Sequence, residues 1–95
     1  MRNNFEYGEK NVKTKEPQIE EPFTDLFMDT NHALVILELP GITDINILYG
    51  DRIVLIQGVN IFHFFEKKIE VPFTVDKTKT QIQFNHGIAE IHFFE

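Results

Sequence analysis

Residues 33–50, Ala-Leu-Val-Ile-Leu-Glu-Leu-Pro-Gly-Ile-Thr-Asp-Ile-Asn-Ile-Leu-Tyr-Gly, decide the fold. Ala33 to Leu39 is almost continuously apolar and rich in branched side chains. At seven residues it has the length of a strand rather than a helix, and it reads as a central one. Pro40-Gly41 stops it, because proline has no amide to donate and glycine accepts positive φ. Beyond the corner, Asp44 to Tyr49 changes to strict alternation, with Ile45, Ile47 and Tyr49 on one face. Two extended segments joined by a rigid corner point to a β protein.

The same punctuation continues in both directions. Upstream, Phe23 to Asp29 is a short strand ended by Asp29-Thr-Asn-His. Downstream, Gly50-Asp51 is a two-residue reversal. Arg52 to Gln57 then alternates Ile53 and Leu55 against Val54 and Ile56, and Gly58 closes it. Glu66 to Val71 places Ile69 and Val71 inward and Lys68 and Glu70 outward, and Pro72 ends it. Thr80 to Phe84 pairs Ile82 with Phe84, Asn85-His86-Gly87 turns the chain, and Ile88 to Phe93 is the last strand. Seven strands and no helical period predict an all-β chain, an antiparallel, immunoglobulin-like β-sandwich over residues 22–95. Residues 1–21 differ. Only Phe5, Tyr7, Val12 and Ile19 stand among Lys, Glu, Asn and Gln, too few to offset the entropy of ordering, so a flexible arm is expected there.

Composition narrows the function. Ninety-five residues suit one domain. A net charge of −6 argues against nucleic acid or an anionic membrane as partner, since both attract cationic surfaces. No apolar run approaches the roughly 20 residues of a membrane span, and no signal segment opens the chain. A soluble, cytoplasmic protein is expected. With no cysteine and no serine, the chain lacks a disulfide, a thiolate site and the two commonest nucleophiles. Its five glycines are isolated at turns rather than grouped into a phosphate-binding loop. No enzyme and no cofactor are expected. His32, His63, His86 and His92 are scattered; His86 and His92 lie six residues apart on one strand, roughly 20 Å if extended, so no metal site is expected.

The order of these pieces resembles the small heat-shock protein, or α-crystallin, domain. Glu38-Leu39-Pro40-Gly41-Ile42 followed by Asp44-Ile45-Asn46-Ile47 is similar to that family's "(D/E)LPG(V/I)" corner and its "DI-x-V" strand. Thr24-Asp25-Leu26-Phe27 looks like its "VDIY" opening strand, and Leu55-Ile56-Gln57-Gly58 like its "L-x-I-x-G". Ile69-Glu70-Val71-Pro72 with Val75-Asp76 is similar to "F-x-L-P-x-x-V-D". Asn85-His86-Gly87-Ile88 falls at the "A-x-x-x-N-G-V-L" signature, with Ile82 in place of Ala, His86 of Asn and Ala89 of Leu. Pro40, Gly41 and Gly87 are the motif's turn residues.

The resemblance implies a chaperone of the stress-response type that works without ATP, holding partly unfolded proteins or apolar peptides in a groove and along strand edges. By position, Ile45 and Ile47 line one wall of the groove and Ile82 and Phe84 the other. These four also suit an ordinary core. The family's long loop with an exchanged strand is replaced here by Val59 to Phe65, too short for such an exchange, and the sequence ends at Phe94-Glu95 without an "I-x-I/V" anchor. A homodimer or small homo-oligomer is therefore expected. Ile61-Phe62-His63-Phe64-Phe65 is the candidate pairing edge, through Ile61, Phe62, Phe64 and Phe65, because four large apolar residues in five invite another strand. The alternative is a core strand running on to Val71. The shortened loop also resembles the CS-type domains of co-chaperones, for which the implied function is an adaptor with one dedicated partner; a structural subunit assembled by edge pairing is the third reading.

Overall fold

The computed structural model describes residues 19–95. The described residues form eight strands: β1 (Ile19–Glu20), β2 (Thr24–Met28), β3 (His32–Glu38), β4 (Asp44–Gly50), β5 (Ile53–Val59), β6 (Phe64–Glu70), β7 (Gln81–Asn85) and β8 (Ile88–Phe94). They make two four-stranded sheets, ordered β1-β6-β5-β4 and β2-β3-β8-β7. All pairings are antiparallel except β1 with β6, which is parallel and two residues long. The expected antiparallel sandwich is therefore present, with seven of its strands where the sequence places them and β1 in addition. The arm expected over residues 1–21 lies outside the described residues as far as position 18. Within the part of the arm that is described, Ile19–Glu20 form a strand, ahead of Pro22.

The core follows from the two-residue period. β3 presents Ala33, Val35 and Leu37 inward and β8 presents Ala89, Ile91 and Phe93, all six fully buried. Facing them, β5 contributes Val54 and Ile56 and β6 contributes Phe65 and Ile69. Each large side chain taken out of water in this way contributes roughly 1.5–3 kcal/mol. β3 is central, between β2 and β8, as its apolar run predicts, but its outer residues Leu34 and Ile36 are only half-buried.

The Pro40-Gly41 corner carries the chain from one sheet to the other, and Leu39 and Ile42 on either side of it plug the end of the core. Gly58 does not end its strand. It lies inside β5, paired with Ile45 and Phe65, because Ile42 packs directly above it; a Cβ there would meet Ile42 Cγ2 at 3.1 Å. The reversal after β4 is also one residue later than expected. Gly50 still pairs with Ile53, and the loop is Asp51-Arg52 with Arg52 at φ +59°. Between β6 and β7 a single 3-10 turn, Lys77–Lys79, is capped by Asp76.

Candidate functional site

β4 is an edge of one sheet and β7 an edge of the other, and among the described residues neither has a second strand beside it. Register fixes which side chains face the seam between them. On β4, Ile45, Ile47 and Tyr49 stand opposite Gly58, Ile56 and Val54, all buried, so the three point inward. On β7, Ile82 and Phe84 stand opposite Ile91 and Ala89, also buried. The four sequence-predicted residues therefore lie on the inner faces of two open edges. Ile45, Ile47 and Phe84 are half-buried against the core, and Ile82 is 48% exposed.

One hydrogen bond joins the two edges. The Tyr49 hydroxyl donates to Thr80 Oγ1 at 2.9 Å. The Tyr49 ring meets Phe93 edge-on, with centroids 6.4 Å apart at 81°. From this link an alternating apolar row leaves along each strand, Ile47 and Ile45 on β4, Ile82 and Phe84 on β7. The outward positions are polar on β7, at Gln81, Gln83 and Asn85, and mixed on β4, where Asp44 and Asn46 are followed by the exposed Leu48. Open backbone with apolar side chains at every second position is what an added strand recognises.

The motif turn residues converge at one end of the sandwich. Gly41 has φ +76° and Gly87 φ +77°. The Leu39 amide donates to the Gly87 carbonyl at 2.6 Å, which sets the last hairpin against the Pro40 corner. Asn60 ties in the next loop. Its Nδ2 donates to the Gly41 carbonyl at 2.8 Å, while its Oδ1 accepts from the amides of Phe62 and His63 at 2.7 and 2.6 Å.

That loop divides the segment read as a pairing edge. Ile61 and Phe62 sit in the turn, 88% and 80% exposed. They border an open depression of about 620 Å³, lined also by Gly41, Thr43, Asp44 and Val59. Phe64 and Phe65 belong to β6 instead, paired on one side with β5 and on the other with Ile19 and Glu20. Phe65 is a core residue. The continuous free edge expected over residues 61–65 is thus replaced by an exposed turn followed by a strand with its flank already taken. Farther along, β6 is charged, and Lys67 Nζ lies 3.1 Å from Glu21 Oε2.

The histidines are less scattered than their positions in the sequence imply. His32 is the first residue of β3 rather than part of the turn, and its Nε2 lies 2.9 Å from His92 Nδ1. Phe94 stacks on His32 with centroids 4.7 Å apart, and Glu90 Oε2 is 3.4 Å from His92 Nε2. A hydrogen bond between the two rings accounts for this contact. Among the described residues no three His, Cys, Asp or Glu side chains converge, and no helix is long and apolar enough to cross a membrane.

No family model matches the sequence, and no curated protein is similar to it. Solved structures are. Heat shock protein 16.0 from Schizosaccharomyces pombe superposes with a TM-score of 0.68 at 21% identity, over 83% of this chain and 69% of that one. The hspA protein from Xanthomonas axonopodis gives 0.65 at 19% identity, over 79% and 93%. A small heat-shock protein from Xylella fastidiosa gives 0.62 at 20%, over 78% and 84%. The fold is that of the small heat-shock proteins. Within that fold, this chain joins β5 to β6 by the four-residue turn Asn60–His63, and lays its own β1 along β6.

Proposed function

We propose that the chain is an ATP-independent holdase that takes apolar segments of partly unfolded proteins, in extended form, along the β4–β7 seam. The observation that carries this reading is the seam itself: two open edges linked by Tyr49 and Thr80, each with a partly exposed apolar row facing inward. A bound segment would hydrogen-bond to a strand edge and place alternate apolar side chains against Ile45, Ile47, Ile82 and Phe84. The driving force is the burial that folds proteins, used reversibly and without a catalysed step. The solved structures that share the fold are heat-shock proteins by name, which agrees with this use. A net charge of −6 would help keep loaded complexes in solution.

Two measurements test the proposal. In the first, several unrelated client proteins are heated with and without the full chain, and their aggregation is followed by light scattering. Suppression of most clients near equimolar ratio is expected; suppression of none would overturn the holdase reading and leave an adaptor with one dedicated partner. In the second, Ile47→Asp is titrated against a short peptide carrying Ile-x-Ile. Ile47 is half-buried at an edge, where a carboxylate still reaches water. Binding should fall by at least about tenfold, while the circular dichroism spectrum stays that of the native sandwich. Undiminished binding would move the site away from the seam.

A further inference from the structure

The opposite side of the sandwich has an edge of another kind. β2 pairs only with β3 among the described residues, and Phe23, Leu26, Phe27 and Met28 on and beside it are all exposed. Elsewhere open backbone carries polar or charged guards: Gln81, Gln83 and Asn85 on β7, Asp44 and Asn46 beside the exposed Leu48 on β4, and Glu66, Lys67, Lys68 and Glu70 on β6 beyond its contact with β1. Strand edges are ordinarily protected in that way. β2 has a single charge, Asp25.

The hydrogen bonds at the two ends of β2 show where its free backbone groups point. The Glu38 amide donates to the Phe23 carbonyl at 3.1 Å, and the Asp29 amide donates to the His32 carbonyl at 2.9 Å. In an antiparallel ladder such bonded pairs recur at every second residue. With the register Asp25↔Ile36 and Phe27↔Leu34, residues 23, 25, 27 and 29 face β3. Thr24, Leu26 and Met28 therefore direct their amides and carbonyls to the open side.

We propose that β2 pairs with β2 of a second copy of this chain, antiparallel, about a two-fold axis at Leu26. In that register Thr24 of each chain opposes Met28 of the other and Leu26 opposes its own copy, so every open amide and carbonyl of the strand is used, in six hydrogen bonds. Asp25 falls opposite Phe27. Shifting by two residues one way sets the two Asp25 carboxylates face to face, which is destabilising. Shifting the other way leaves the backbone groups of Thr24 unpaired. Because opposite residues share a face, the two β2-containing sheets become one of eight strands.

The area agrees. At roughly 200 Å² for a large apolar side chain, exposures of 82% at Phe23, 44% at Leu26, 59% at Phe27 and 39% at Met28 leave about 450 Å² per chain. Two chains then expose about 900 Å² of apolar surface along the paired strands, the upper limit of what side chains add to the area buried by the backbone, against the ~1,000 Å² that marks a specific interface. The surface lies at the edge opposite β7 and does not depend on how the β4–β7 seam is used.

Sedimentation equilibrium on the full chain tests this, with circular dichroism confirming that each variant is folded. Wild type should be a dimer at micromolar concentration. Leu26→Pro removes an amide that faces away from β3, a position where an edge strand tolerates proline, so it should give a folded monomer. Phe27→Asp puts carboxylates opposite each other twice across the axis and should raise the dissociation constant at least about tenfold. Phe27→Lys puts an ammonium opposite Asp25 instead and should keep the dimer, with an affinity that falls as salt rises. A monomeric wild type, a dimer indifferent to Leu26→Pro, or equal dissociation by the two Phe27 variants would each overturn the proposal.

Discussion

The Leu39 amide donates to the Gly87 carbonyl over 2.6 Å, so the turn before the last strand is fastened to the corner that ends β3. His86 and Gly87 form the two-residue loop between Asn85 and Ile88, and both have positive φ, +53° and +77°. That pair of angles is a type I′ turn, which favours Asn followed by Gly. A Cβ on Gly87 would also stand 3.4 Å from Pro40 Cα. Gly87→Ala should therefore cost about 1–2 kcal/mol in urea unfolding. His86→Asn should gain several tenths, because Asn occupies the left-handed region more readily. An unaffected Gly87→Ala would mean that the corner and the turn move independently.

Tyr49 and Thr80 are the next coupled pair. Their hydrogen bond bridges the two sheets at one end of the seam and is partly shielded from water. Tyr49→Phe keeps the ring against Phe93 and removes only the donor, so a loss of about 1 kcal/mol is expected. Thr80→Val should cost a similar amount. In a double-mutant cycle the two losses should not add, leaving a coupling energy of 0.5 kcal/mol or more. Additive losses would mean that water satisfies both hydroxyls and that the bond does not hold the edges together.

Asp76 supplies a pH dependence. Its carboxylate accepts from the Thr78 hydroxyl at 2.6 Å and from the Thr78 amide at 3.0 Å, and these two bonds, the hydroxyl first, hold its pKa below the ordinary 3.8. A carboxyl with a depressed folded-state pKa contributes stability above its unfolded pKa and loses it as pH falls through the folded one. Asp76→Asn keeps an oxygen acceptor but not the charge. Its melting temperature should lie below wild type at pH 6, and the gap should close as pH drops below 3.8. A gap constant from pH 6 to pH 2 would assign the effect to packing instead.

Local signals in the sequence were enough for the strands and the corner, because periodicity, Pro40 and Gly41 act within a few residues of themselves. The groove residues Ile45, Ile47, Ile82 and Phe84 were legible through the resemblance, and their inward direction through the two-residue period. What escaped depends on distant partners. The role of Gly58 is set by Ile42, sixteen positions earlier, so an isolated glycine read as a stop. His32 and His92 meet only because β3 and β8 pair. The segment from Ile61 to Phe65 misled because its apolar character conceals a turn made by a side chain: Asn60 accepts the amides of Phe62 and His63, which releases two large apolar residues to the surface. Whether a strand lies at an edge is likewise a property of the sheet. Nothing in the two residues of β1 indicates that they lie along β6.

Asn60 is accordingly the residue whose replacement should separate stability from stickiness. Its side chain makes three hydrogen bonds, one to the Gly41 carbonyl and two from turn amides, and it holds Ile61 and Phe62 in a tight loop beside β4. Asn60→Asp keeps the acceptor but brings a carboxylate oxygen against the Gly41 carbonyl, where the amide nitrogen now lies 2.8 Å away. Asn60→Ala loses all three bonds. Losses of about 1 kcal/mol for Asp and 2–3 kcal/mol for Ala are expected in urea unfolding. Because the freed loop carries two exposed aliphatic and aromatic side chains, Asn60→Ala should also bind more of a hydrophobic dye and aggregate faster at 37 °C than wild type. Combining it with Phe62→Ser should restore the slow aggregation without restoring stability. If both recovered together, the turn would be a packing element and not a capped, exposed tip.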